Sequence, residues 1–136
     1  MPRNMKKLKV SLLLFYDCEG KILLNHRRDN LHENEDVREI IGGGIDQGES
    51  PSDAIKREIY EELGYIIDET KDNLKFVQKF GDVSLFKAKF PEFQSFSDTN
   101  EVKLSDLKLF SVKEALALKL LPMTRKILER IELGTF

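Results

Sequence analysis

The chain has 136 residues, enough for one domain with a sizeable core. Hydrophobic residues make up 40% and charged residues 34%, but 22 Lys+Arg stand against 24 Asp+Glu, a net charge of −2. This balance excludes a global electrostatic drive toward a nucleic acid polymer, and the apolar share excludes disorder by composition.

Taken from the N-terminus, Lys6, Lys7 and Lys9 ahead of an apolar run imitate a signal peptide. The run is short, no small-residue cleavage site follows it, and acidic Asp17 precedes Cys18. Its apolar centre, Leu12-Leu13-Leu14-Phe15-Tyr16, is far below the ~20 residues of a membrane span. A lone cysteine, Cys18, rules out an internal disulfide and a zinc site of several cysteines, which fits a reducing compartment. These features predict a cytoplasmic protein without a membrane segment.

The pattern predicts a strand over 8–16, a turn at Asp17-Cys18-Glu19-Gly20 and a strand over 21–27. A polar loop over 28–36 leads to a short strand over 37–41, and Gly42-Gly43-Gly44 should break regular structure. A helix over 50–64 has clear limits: Ser50 as N-cap, Pro51 at its first position, Asp53 in its first turn and Gly64 as its stop. Strands over 74–80 and 83–90 are joined by Gly81-Asp82, and 91–106 reads as a polar loop. A last strand spans 107–110, and 112–118 and 123–131 read as helical, with Pro122 between them. There is no repeat or linker. Residues 1–136 are expected to form a single α/β domain, a mixed sheet with helices on both faces.

On a helical wheel Ile55, Ile59 and Leu63 form one stripe for the sheet. Glu58, Glu61 and Glu62 gather along its flank, with Glu62 nearest the buried side. Carboxylates so close repel one another, and the C-terminal half of a helix disfavours negative charge. An ionised group beside a core also needs a positive partner. A solvated charged face is the plain alternative, but a bound cation explains the placement better. All-oxygen ligands suit Mg²⁺ or Mn²⁺, which commonly binds one or two carboxylates plus substrate phosphates. The glycines just before the helix let backbone approach a ligand, and their carbonyls can join a metal shell. Together these parts suggest metal-assisted attack of water on a phosphate chain.

Gly43-x5-Glu49-x7-Arg57-Glu58-Ile59-x-Glu61-Glu62-x-Gly64-Tyr65 resembles the Nudix box, G-x5-E-x7-R-E-U-x-E-E-x-G-U with U a bulky aliphatic. All seven fixed positions match, a coincidence of about one in 10⁸ per starting point at average residue frequencies. Tyr65 replaces the final aliphatic, and Ile41 stands where many members have proline. The layout is similar to MutT-like Nudix hydrolases. The resemblance implies an α/β/α sandwich that hydrolyses a nucleoside diphosphate linked to another group, using Mg²⁺ or Mn²⁺. By position it implies that Glu58 and Glu62 ligate metal, that Glu61 assists, and that the Gly42 carbonyl joins them. Arg57 would hold the glutamates, Glu49 would support the loop, and Gly43 and Gly44 would approach the substrate. A late-loop carboxylate often completes such sites as ligand or base, and Glu101 is the candidate here. Arg27, at the end of the second strand, is the candidate phosphate contact.

Other singled-out residues carry less. His32 and Cys18 read as surface groups. Phe76, Phe80, Phe86, Phe90 and Phe110 read as core, and Phe93 or Phe96 could stack on a base. Markers of ADP-ribose and dinucleoside polyphosphate hydrolases are missing around Lys79-Phe80-Gly81-Asp82, and no cysteine pairs exist for the zinc site of NADH pyrophosphatases. Elimination leaves a nucleoside triphosphate, ordinary or oxidised. Leu120-Leu121-Pro122-Met123 offers no amide where readers of 8-oxoguanine carry asparagine. The alternatives are a nucleotide-sensing Nudix domain without turnover, and a hydrolase of ADP-ribose or nucleotide sugars. Nudix proteins often pair, so a homodimer stays open.

Overall fold

The computed structural model of the protein describes residues 8–29 and 35–134. Lys6, Lys7, His32 and part of the expected 28–36 loop lie outside the described residues. The elements are β1 (Val10–Tyr16), β2 (Ile22–His26), β3 (Val37–Glu39), β4 (Ile41–Gly44), α1 (Pro51–Leu63), β5 (Lys75–Phe80), β6 (Val83–Lys89), β7 (Leu107–Phe110), α2 (Val112–Leu116), β8 (Lys119–Leu120) and α3 (Pro122–Glu132).

Strand β1 organises the sheet. It runs parallel to β6 from Val10↔Val83 to Tyr16↔Lys89. On its other side it pairs antiparallel with β4, from Val10↔Gly44 to Leu13↔Ile41. The hairpin partner β2 meets it only at Tyr16↔Ile22, then pairs with β7 and β3. The order β5-β6-β1-β2-β3-β8, with β4 on β1 and β7 on β2, is a mixed sheet.

Successive strand side chains point to opposite faces, so each apolar strand feeds two layers. Leu13, Phe15 and Leu23 pack with Ile55, Ile59 and Leu63 of α1. Leu14, Ile22 and Leu24 pack with Ala115 of α2 and Ile127 and Leu128 of α3. The result is the expected α/β/α sandwich. Each fully buried Leu or Ile contributes about 1.5–3 kcal/mol over an exposed one.

The Ser50 hydroxyl accepts from the Asp53 amide at 3.0 Å, and Gly64, at φ 65°, donates to the Tyr60 carbonyl at 2.8 Å. Helix α1 is therefore capped at both predicted ends.

Several expectations need correction. Gly42-Gly43-Gly44 is not a break but most of β4. Without side chains these residues fit between β1 and α1: a Cβ on Gly42 would overlap the Ser11 carbonyl, and its φ of 148° favours glycine. The expected 37–41 strand is interrupted before Ile41, and the short β8 follows a shorter α2 than expected. Phe76 is exposed, because β5 is the sheet edge and an irregularity shifts its register between Phe76 and Gln78. The 91–106 segment is an ordered wall with two 3-10 turns and with Phe96, Val102 and Asp106 buried. Among the described residues no helix is long and apolar enough to cross a membrane.

Candidate active site

Helix α1 supplies three of the carboxylates, β4 supplies tight backbone, and the 91–106 segment closes the far side. The centre of the array is Arg57. Its Nε and Nη2 donate to the two Glu49 carboxylate oxygens at 2.9 and 3.0 Å. Nη1 donates to Glu58 at 2.9 Å and to Glu61 at 3.2 Å, and Nη2 also reaches the Gly44 carbonyl at 2.8 Å. One planar fork thus ties the loop, the helix start and two carboxylates together. These bonds, those to Glu49 foremost, hold the Arg57 guanidinium more firmly charged than usual, and Arg57 in turn lowers the pKa of Glu49.

Gly43 lets the Glu58 carboxylate lie against the β4 backbone, since a Cβ there would overlap that carboxylate and force it to move. Burial raises the pKa of Glu58, and its bond to Arg57 opposes that rise without overcoming it. Glu62 is the most perturbed group. Burial first, then the charges of Glu58, Glu101 and Glu39, push its carboxyl up to about 9, against one backbone hydrogen bond from Gly42. Gly42 therefore meets Glu62 through its amide in this arrangement. Glu62 is a desolvated carboxylate facing three others, which is the electrostatic setting a cation would relieve.

Glu62, Gly42 and Glu101 line a recess of about 150 Å³ together with Asn25 and Glu39. It shares Asn25, Glu39 and Glu101 with a cleft of about 300 Å³ that also includes Arg27, Arg28, Lys103 and Asp106. Arg27 donates to Asp29 at 2.7 Å and to Glu39 at 2.8 Å. Arg28 forms a bidentate pair with buried Asp106, at 2.6 and 2.8 Å. Glu101 is thus brought beside Glu62, and Arg27 opens on the same cleft. Phe96 is not at the cleft: it is buried against Phe15, Tyr65 and Phe90. Phe93 packs on Phe90, and Cys18 is exposed in its turn.

Reading the sequence missed Asn25 and Glu39. Asn25 is a buried polar residue at the end of an apolar strand; its amide donates to Glu39 at 3.2 Å and its Oδ1 is buried without a hydrogen-bond partner. The available signal was a polar interruption of the β2 pattern opposite an acidic residue in β3, Glu39, three residues before the first glycine, Gly42. Register makes it visible: Asn25 pairs with Glu39.

The donor set fits a hard divalent cation. It is all oxygen, largely carboxylate, and its repulsion falls on Glu62. Among the described residues no three acidic, histidine or cysteine side chains converge into a ready-made shell. An ion that keeps several waters needs only one or two of these carboxylates.

A NUDIX domain model matches residues 5–131, and the chain belongs to this family, the Nudix hydrolases. The likeness read from 23 residues of helix and loop thus extends over nearly the whole chain. Members of the family generally use divalent metal ions. An RNA pyrophosphohydrolase from Bartonella clarridgeiae is 41% identical over 56 residues, 38% of this chain and 32% of that protein. The match therefore spans about a third of that relative's length. Among solved structures, DR0079 from Deinococcus radiodurans superposes with a TM-score of 0.73 at 14% identity, over 91% of this chain and 81% of that one. The E. coli ORF135 protein does so with a TM-score of 0.64 at 25% identity, over 97% and 94%.

Proposed function

We propose that the chain is a metal-dependent pyrophosphohydrolase of nucleoside triphosphates, ordinary or oxidised. One observation carries this reading: the Glu62 carboxylate is buried among Glu58, Glu101 and Glu39 beside the glycine backbone of β4. Glu58 and Glu62 would hold Mg²⁺ or Mn²⁺, with Glu61 assisting and the Gly42 carbonyl as a further ligand. When bound, the ion supplies charge stabilisation on the phosphate chain. Arg57 keeps Glu58 and Glu61 in place. Gly43 and Gly44 let the phosphates come close to backbone, and Arg27 contacts a phosphate. Glu101 accepts a proton from the attacking water as that water's oxygen bonds to phosphorus and the bridging P–O bond breaks. A positioned base of this kind is worth about 10²–10⁴-fold.

The 41% likeness to an RNA pyrophosphohydrolase favours a second reading, a triphosphate at the 5′ end of an RNA. Both readings place the same phosphate chain on the same carboxylates. A turnover panel tests them: ribo- and deoxyribonucleoside triphosphates, oxidised nucleotides, ADP-ribose, nucleotide sugars and a 5′-triphosphorylated oligoribonucleotide, each with Mg²⁺ or Mn²⁺. Metal-dependent release of pyrophosphate or phosphate from a free triphosphate, absent in Glu62→Gln, supports the first reading. Preference for the oligonucleotide moves the assignment to the second. Tight binding across the panel without turnover would leave a nucleotide sensor instead.

A further inference from the structure

The last carbonyls of a helix have no partner within it. At the end of α1 the 91–106 segment provides them. The Ser97 amide donates to the Leu63 carbonyl at 2.8 Å, and the Thr99 hydroxyl donates to the Glu62 carbonyl at 2.8 Å. The same Thr99 oxygen accepts from the amides of Glu101 at 3.2 Å and Val102 at 3.1 Å. A single hydroxyl therefore joins the backbone of one recess carboxylate to the backbone of the other.

The rest of the turn is closed on itself. The Thr99 amide donates to the Val102 carbonyl at 3.0 Å, Lys103 Nζ donates to the Thr99 carbonyl at 2.8 Å, and the Leu104 amide donates to Asp98 at 2.7 Å. Val102 and Phe96 are buried in the α1-side core, so the turn is anchored on both sides of Thr99. These bonds fix the shape of the turn. The Ser97 amide and the buried Phe96 and Val102 dock the segment on α1, and the Thr99 hydroxyl ties the turn that bears Glu101 directly to the Glu62 backbone. Glu101 itself is exposed and lines both the recess and the cleft.

We infer that Thr99 is a positioning residue: its hydroxyl sets the separation of Glu101 from Glu62 and so places the carboxylate that takes the proton. The inference rests on the reading of Glu101 as that base. Threonine suits the task because one hydroxyl donates once and accepts twice. Valine keeps the shape and loses all three bonds, whereas serine keeps them.

The test compares Thr99→Val, Thr99→Ser and Glu101→Gln by two readouts. The first needs no substrate. Hydrogen exchange at the amides of Glu101 and Val102 should quicken about tenfold or more in Thr99→Val, with Ile55 and Ile59 unchanged and Thr99→Ser close to the parent. Unchanged exchange at these two amides overturns the inference. The second readout is turnover of the panel triphosphates with Mg²⁺. Thr99→Val should lower kcat about tenfold with KM nearly constant, since a displacement of about 1 Å can cost up to about 10²-fold. In the Glu101→Gln background the same change should cost almost nothing more, because the group it positions is already gone. An equal loss in both backgrounds means a general structural role and overturns the inference. A slow Glu101→Gln protein beside a fast Thr99→Val protein overturns it alone. A Glu101→Gln protein with full turnover overturns the base assignment, and this inference with it.

Discussion

The two faces of the sheet use the same apolar strands for different ends. On the α3 side Leu14, Ile22, Leu24 and Leu85 meet Ile127 and Leu128, and the space left over is an apolar pocket of about 290 Å³ whose only charged lining residue among those described is Lys87. On the α1 side an equally buried stripe of Ile55, Ile59 and Leu63 runs straight into Glu58 and Glu62. On the α3 side the packing encloses apolar groups. The other face uses its packing to desolvate carboxylates, which raises their energy until something positive arrives.

The sharpest way to break this contrast is Glu62→Gln. On the proposed reading turnover falls at least about 10³-fold, since the change removes both charge and ligand. The same change should raise the melting temperature of the metal-free protein, because it deletes an acid that burial first, and then Glu58, Glu101 and Glu39, keep from ionising in the folded chain. Activity and stability then move in opposite directions, which a purely structural glutamate would not do. Leu128→Ala on the opposite face should do the reverse. It costs about 2–5 kcal/mol of unfolding free energy in chemical denaturation and leaves kcat of the folded fraction unchanged. If kcat falls with it, the two faces are not separable.

A smaller effect comes from Gly43→Ala. The added methyl would overlap the Glu58 carboxylate and push it from Arg57. We expect about a 10²-fold loss of turnover, by analogy with small displacements of catalytic groups. The melting temperature should change little, because the methyl displaces a half-buried side chain and not the apolar layer.

The sequence disclosed this contrast unevenly. The α1 face was legible because its information is local: caps at Ser50 and Gly64, a 3.6-residue stripe, and charges at fixed spacing within one helix. The continuous apolar run of β1 likewise suits a strand buried on both faces. What escaped depends on register and on long-range closure. The strand role of the glycine triplet needs β1 alongside it, Phe76 faces solvent because β5 ends up at the edge, and Phe96 is core because the polar-looking 91–106 segment folds back on α1. Asn25 and Glu39 become neighbours only when β2 and β3 pair. Composition made the 91–106 segment read as solvent-facing, although it carries the Thr99 clamp and Glu101.

The pH dependence of the metal-free protein sharpens the contrast least in size and most in sign. Glu62 is raised in the folded chain to about 9 from an ordinary 4.5. Between those values the unfolded chain has lost this proton and the folded chain retains it. Unfolding then releases a proton, so stability is greatest below pH 4.5 for this group and falls as pH rises toward 9. The slope from one such proton is at most about 1.4 kcal/mol per pH unit. Glu58, shifted the same way, adds to it. Melting curves at pH 6, 7 and 8, on the order of one unit apart so that this slope is resolved, should show the fall in the parent chain and a flatter profile in Glu62→Gln. Mg²⁺ at fixed pH should flatten it too, since a cation binds the ionised form and pulls the folded pKa down. Leu128→Ala should lower every point and leave the slope as it was, because Leu128 carries no ionisable group and packs in the layer opposite Glu62. A slope that follows Leu128 instead of Glu62 would place the buried charge on the wrong side of the sheet.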